Sequence, residues 1–182
     1  MTRLFGVIGT PISHSLSPAM HTAAFRALKL DALYTAFDVP ARFLTPILRA
    51  LVLSGVEGLN VTVPLKEAVL PLLDRLDPTA QAIGSVNTIV IRHRQTIGYN
   101  TDGVGFRRAS MELGLPHRPV RTVLLGAGGA ARAVGWEATR TPGSVLTIAN
   151  RHLARAQRLA RWLTWLHPKA TVRAVSLDGV TV

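Results

Sequence analysis

The stretch Thr122-Val123-Leu124-Leu125-Gly126-Ala127-Gly128-Gly129-Ala130-Ala131 decides how this chain is read. An apolar strand runs directly into a glycine turn that fits G-x-G-x-x-[GA], and small residues then open a helix. Glycines let a backbone come close to a pyrophosphate. The helix N-terminus meets that anion with unpaired N–H groups and the positive end of its dipole. The bare spacing also suits a glycine-rich turn without a ligand, but the strand–turn–helix context favours a dinucleotide.

Working outward, the pattern predicts a helix over Ala130–Thr141, a strand over Val145–Ala149, a helix over Leu153–Leu166 and a strand over Ala170–Val175. With the Thr122–Leu125 strand this makes βαβαβ, half of a doubly wound nucleotide fold. The end of the second strand selects the nucleotide. Sites for NAD place an Asp or Glu about 20 residues past the glycines, on the ribose 2′-hydroxyl. Here the position reads Asn150-Arg151-His152, with Arg155 one helical turn on, and no carboxylate stands between Glu137 and Asp178. Guanidinium groups suit a 2′-phosphate through planar, charge-assisted hydrogen bonds, so NADP is the expected cofactor. The competing reading is a solvated basic helix face of Arg155, Arg158 and Arg161.

Toward the N-terminus, a helix over Gly103–Leu113 and a Pro- and Arg-containing connection, Gly114–Arg121, lead into this half. Before them Met1–Gly9 reads as a buried strand. Ser17-Pro18 reads as an N-cap with proline at the first helical position. The helix it opens, Pro18 to Lys29, is expected to bury Met20, Ala24 and Phe25. A strand over Leu33–Val39 precedes an amphipathic helix in which Leu44, Ile47, Leu48, Leu51 and Val52 share a face, closed by Gly55 and Gly58. Leu59–Val63 is a strand stopped by Pro64. Lys66–Leu76 is helical and split by Pro71, and Pro78–Ile83 is a further helix. Val86–Arg92 and Gln95–Tyr99 form a hairpin across His93-Arg94 at the sheet edge. The expected fold is α/β: a mainly parallel sheet domain over residues 1–102, then an incomplete Rossmann-like domain over 103–182.

Composition limits the alternatives. The 182 residues are 48% hydrophobic and 17% charged, enough for a real core and unlike a disordered or fibrous chain. Zero cysteines exclude disulfides, thiolate metal sites and cysteine nucleophiles, and no metal is expected. No apolar run reaches the ~18 residues of a membrane span, and Met1–Gly9 lacks the basic start and long apolar run of a signal peptide. A cytoplasmic protein without membrane partners is the expectation. Of the net charge of +11, residues 107–182 hold twelve Lys and Arg against three Asp and Glu. A basic half attracts phosphate groups. Arg outnumbers Lys eighteen to three, however, which also fits codon bias.

Three polar clusters occupy the first domain. Ser15 and Ser17 stand two apart before a helix, where hydroxyls and first-turn N–H groups can cradle a carboxylate or polyol. Asn60 and Thr62 point to one side of a strand, with Lys66 just past its end. Val86-Asn87-Thr88 forms the third with Asn100-Thr101-Asp102-Gly103, which closes the domain. Taken singly, each also reads as ordinary turn chemistry.

Together, Ser15-Leu16-Ser17-Pro18, Asn60–Glu67, Gly84–Thr88, Gly98–Gly103, the glycine turn and Asn150-Arg151 resemble the shikimate dehydrogenase family in order and spacing. The resemblance covers nearly the whole chain. It implies reversible, NADP-dependent reduction of 3-dehydroshikimate to shikimate in aromatic amino-acid biosynthesis. It implies that Ser15 and Ser17 hold the substrate carboxylate and that Asn60, Thr62, Asn87 and Asp102 bind ring hydroxyls. Lys66 and Asp102 become the catalytic pair. Gly126, Ala127, Gly128, Gly129, Ala130 and Ala131, with Asn150, Arg151 and Arg155, seat the cofactor. Hydride arriving at a carbonyl leaves an alkoxide that needs a nearby proton donor, and a lysine aimed by a carboxylate can serve. The family continues beyond this chain, so a C-terminally truncated member with weak or absent turnover is expected, and self-association into a homo-oligomer would follow from apolar surface left bare. Two other readings stand beside it: a dehydrogenase for quinate or a related cyclic hydroxy acid, and a non-catalytic basic module binding nucleic acid. The second lacks interleaved aromatics, which make up only 5% of the chain.

Overall fold

A computed structural model describes residues 2–114 and 118–177. Met1 of the expected first strand, the centre of the expected Gly114–Arg121 connection and the stretch after Leu177 lie outside the described residues. The chain divides into two compact units, Met1–Asn100 and Thr101–Val182.

The first unit runs β1 (Arg3–Gly9), α1 (Ser17–Ala27), β2 (Ala32–Asp38), α2 (Leu44–Leu53), β3 (Val56–Val61), α3 (Leu65–Ala68), β4 (Arg75–Leu76), α4 (Pro78–Ile83), β5 (Thr88–Arg92) and β6 (Gln95–Tyr99). Its six-stranded sheet has the order β2-β1-β3-β5-β6-β4. β1 lies parallel to both β2 and β3, whereas β5 and β6 run as an antiparallel hairpin beside β3. His93 and Arg94 both have positive φ, the conformation a two-residue hairpin turn requires.

Alternation along the strands sorts the sheet into two faces. Ile8, Leu59, Val61 and Ile89 join the larger core with Leu44, Leu48 and Leu51 of α2 and with Leu65 and Val69. Val7 and Tyr34 face the other way, into a smaller cluster with Ile12, Phe5 and Phe25. Asn60, between Leu59 and Val61 and in register with Val7, therefore belongs to the smaller side.

Four expectations are corrected here. α1 contains no buried residue, and Met20 is 61% exposed. Only Phe25 of the three expected contacts packs against the smaller cluster, because the helix touches the sheet through His21 and Phe25. Ser17 is not the cap: it already lies within the helix, and the Ser15 Oγ accepts from its N–H at 3.3 Å. Arg75–Leu76, read as helical, is instead a short strand parallel to β6, which makes it the sheet edge in place of the hairpin. The third strand spans Val56–Val61 rather than Leu59–Val63, since it begins as soon as Gly55, at φ 86°, has turned the chain out of α2.

The second unit runs α5 (Asp102–Glu112), β7 (Arg121–Leu125), α6 (Gly129–Thr139), β8 (Val145–Asn150), α7 (Leu153–Leu166) and β9 (Thr171–Ser176). The sheet order is β7-β8-β9, all parallel. Its core is Leu146 and Ile148 of the central strand against Ala131 of α6 and Ala156, Leu159, Ala160 and Leu163 of α7. Gly135 lets α6 approach α7: a Cβ there would come within 2.9 Å of Leu163 Cδ1.

Candidate functional site

In the first unit the polar residues gather where β1 and β3 end and β5 begins. Thr62 N–H donates to the Ile8 carbonyl at 2.9 Å, and Thr10 N–H to Val63 at 3.2 Å, so the two strand ends are tied past the ladder itself. Val61 N–H donates to the Asn87 carbonyl at 2.8 Å, which seats Asn87 beside Asn60. The Thr62 carbonyl accepts from Leu65 N–H at 2.9 Å and starts the short helix that carries Lys66. The Lys66 carbonyl accepts from Val86 N–H at 2.9 Å, fixing the Gly84–Thr88 segment against it. Lys66 itself is half-buried.

The side chains form a connected row. Tyr34 Oη donates to Asn60 Oδ1 at 2.6 Å. Asn60 Nδ2 donates to the Asn87 carbonyl and to Thr88 Oγ1, each at 3.4 Å. Thr88 Oγ1 in turn donates to Asn87 Oδ1 at 3.0 Å. Burial pushes the Tyr34 phenol up to about 12, against a hydrogen bond from the Ser17 side chain that pulls it down. The phenol is therefore a protonated donor at any ordinary pH. The His21 ring stacks on Tyr34 at 4.2 Å between centroids. A groove of about 430 Å³ runs along this face, with His21, Tyr34, Asn60 and Thr88 in its wall.

Of the expected residues, Ser15 and Ser17 are joined through the α1 turn, and Asn60 and Asn87 through the hydrogen bonds above. Thr62 stands at the exit of β3, one residue past its end, and a Cβ on Gly9 would meet its methyl. Tyr34 and His21 were not among the expected residues, and Thr88 stood only within the Val86-Asn87-Thr88 cluster, without an assigned role. Tyr34 in particular reads as a strand core position.

In the second unit Asp102 opens the first turn of α5, half-buried. The glycine turn lies between β7 and α6. Gly126 takes φ 105°, a conformation that favours glycine, while its N–H donates to the Ala149 carbonyl at 2.8 Å. Gly128 differs. Its φ of −99° suits any residue, and a Cβ built there would meet no atom within 4 Å. Neither conformation nor packing demands glycine at 128, so the bare backbone leaves open space before the N-terminus of α6. A dinucleotide pyrophosphate fits that cradle. Gly129 and Ala130 form the first turn of α6, and Ala131 is buried against β8 and α7. Past β8, the Asn150 side chain donates to the His152 carbonyl at 2.9 Å and shapes the turn into α7. Arg151 and Arg155 are exposed there, free of ion pairs among the described residues, just past the end of β8.

Residues 7–89 match the shikimate dehydrogenase substrate binding domain. A shikimate dehydrogenase (NADP(+)) of Methanopyrus kandleri is 48% identical over 98% of this chain and 61% of its own length. Its counterpart in Bacillus anthracis is 46% identical over 98% of this chain and 63% of its own length. The chain thus spans about three-fifths of the curated relatives it matches. Among solved structures, a shikimate dehydrogenase in complex with NADP+ superposes with a TM-score of 0.87 at 40% identity, covering 97% of this chain and 62% of that one. Matched over residues 7–89 to their substrate binding domain and 46–48% identical to these two relatives over 98% of its length, the chain is similar to the shikimate dehydrogenases in sequence and in fold.

Proposed function

We propose that this chain binds shikimate in its first unit and NADP in its second, and serves the reversible reduction of 3-dehydroshikimate to shikimate. The carrying observation is the hydrogen-bonded row from Tyr34 through Asn60 and Thr88 to Asn87, which gathers polar side chains along one face of the first sheet. Ser15 and Ser17 hold the carboxylate with their hydroxyls. Asn60, Thr62, Asn87 and Asp102 bind the ring hydroxyls.

When bound, NADPH supplies the hydride. As the carbonyl carbon gains it, the electron pair moves to oxygen, and Lys66 gives that oxygen a proton from Nζ; the reverse reaction returns both. Asp102 is the second member of the catalytic pair in this reading. Gly126, Ala127 and Gly128 leave room for the pyrophosphate before the N-terminus of α6, with Gly129, Ala130 and Ala131 shaping its first turn. Asn150 sets the turn from which Arg151 and Arg155 reach a 2′-phosphate. This reading goes with a cytoplasmic protein, since NADPH and small hydroxy acids are at hand there.

Separate calorimetric titrations test the proposal. Shikimate is expected to bind with one site per chain, and NADP+ to bind more tightly than NAD+. A folded chain that gives no heat with shikimate overturns the substrate assignment, and equal affinity for the two nucleotides overturns the cofactor assignment.

A further inference from the structure

One atom settles the orientation of the whole row. The Asn87 main-chain carbonyl can only accept, so the Asn60 amide atom facing it must be nitrogen. The other atom of that amide is then the oxygen, and Tyr34 must donate to it. Thr88 Oγ1, accepting from Asn60 Nδ2, has a single proton, and that proton goes to Asn87 Oδ1. Both amide oxygens are consequently occupied by protein hydroxyls, at 2.6 Å and 3.0 Å. What the Asn60 amide offers a ligand is N–H. The Asn60 N–H groups are held only by two long contacts of 3.4 Å, which a better-placed oxygen can replace.

We propose that Tyr34 is a positioning residue: by donating to Asn60 Oδ1 it fixes that amide as a donor and, through Thr88, the orientation of the Asn87 amide, so that this edge of the site takes ligand oxygens that accept and rejects groups that can only donate. The proposal rests on the reading of the first unit as a shikimate site and adds the polarity of its selection. His21, stacked on the phenol ring, keeps the hydroxyl aimed along the row. Without the hydroxyl, Asn60 Oδ1 loses its donor and the amide gains a second orientation, in which its oxygen would face the ligand.

The test uses the whole chain with two ligands. Shikimate carries carboxylate and hydroxyls; cyclohex-1-ene-1-carboxylate carries the carboxylate alone. Tyr34→Phe keeps the ring and its stacking. It is expected to weaken shikimate by about tenfold, the cost of misorienting a hydrogen-bonding group, and to leave the carboxylate-only ligand within about twofold of wild type. In 15N spectra the side-chain amide pairs of Asn60 and Asn87 should both shift. Should Tyr34→Phe fail to fold, Thr88→Val cuts the row one link further on, with the same split between ligands and a shift of the Asn87 pair. Equal weakening of both ligands means a structural role only and overturns the proposal, as does unchanged shikimate affinity. A wild-type chain that binds neither ligand removes the proposed function instead, and the amide spectra then decide the fixed orientation by themselves.

Discussion

Gly9→Ala tests whether the strand ends at the site are as tightly set as the distances say. A Cβ on Gly9 would lie 2.4 Å from Thr62 Cγ2, 3.0 Å from the Val63 carbonyl oxygen and 3.2 Å from Ile12 Cδ1, where ordinary contact begins at 3.4 Å. The strands cannot simply part, because Thr62 N–H to Ile8 O at 2.9 Å and Thr10 N–H to Val63 O at 3.2 Å clamp them on both sides of Gly9. The cheaper response is rotation of Thr62 about χ1, which takes its hydroxyl off the ligand. Overpacking of this kind costs about 1–3 kcal/mol, offset by roughly 0.5–1 kcal/mol from replacing a strand glycine. A net loss near 1 kcal/mol lowers the melting temperature of a unit this size by about 4–8 °C. One misplaced hydrogen bond, about 0.5–1.5 kcal/mol, weakens shikimate between about twofold and tenfold. Circular dichroism melts and calorimetry read the two effects. Thr62→Ser, which deletes the offending methyl and keeps the hydroxyl, should restore most of the stability in the double variant. If Gly9→Ala melts like wild type and binds shikimate equally well, the reasoning is wrong.

Three further outcomes follow from the charges. The Thr96 N–H and hydroxyl donate to Asp74 Oδ2 at 2.7 Å and 2.8 Å and hold its carboxyl below the usual 3.8. The stabilisation is therefore complete above that value and lost as pH falls through the lowered native one, so the wild-type advantage over Asp74→Ala in melts should shrink in strong acid; a pH-independent gap would be the contrary result. His167, beside Thr139 Oγ1 at 2.7 Å, is kept below its usual 6.5 by burial and then by the Arg140 charge. The neutral ring is the folded form, so stability should fall as pH drops below about 6.5 in wild type and stay flatter in His167→Gln; parallel curves would refute it. Removing Arg151 and Arg155 together should weaken NADP+ by about tenfold or more with NAD+ little changed. Equal loss for both nucleotides would show that the two guanidinium groups do not read the 2′-phosphate.

Elements with a strong period were legible, and those set by a partner strand were not. α7 matches its expected Leu153–Leu166 span because apolar positions recur at helical spacing and His152 and His167 bound it. The hairpin was equally plain, since two apolar runs meet at His93-Arg94. Arg75–Leu76 failed because two residues carry no period at all. They are a strand only through pairing with Ile97 and Gly98, a contact across more than twenty residues. α1 failed for a different reason. Met20, Ala24 and Phe25 form an apolar stripe at helical spacing, but the helix sits on the sheet through the edge bearing His21 and Phe25, and sequence does not say how far a stripe is rotated from its contact.

The site shows the same division. Asn60, Asn87, Ser15 and Ser17 were legible because polar residues interrupting strands and turns are conspicuous. Tyr34 was not, because a phenylalanine in its place would satisfy the strand pattern and the small core equally well. Its hydroxyl is the one part that the pattern does not require. Burying a hydroxyl without a partner costs about 1–3 kcal/mol on mutational scales, so a tyrosine at a core position of a strand implies an acceptor within reach. Chain separation hides that acceptor: Asn60 lies 26 residues away and is brought close only because the strand order places β1 between β2 and β3. The order β2-β1-β3 is itself the expected product of two right-handed crossovers, one from β1 to β2 and one from β2 back past β1 to β3. Once that order is granted, register puts Tyr34, paired with Phe5, and Asn60, paired with Val7, on one face of the sheet two residues out of step, an offset that the long tyrosine side chain spans. The missing step was thus topological rather than chemical, and the oxygen on Tyr34 was the clue that a step was missing.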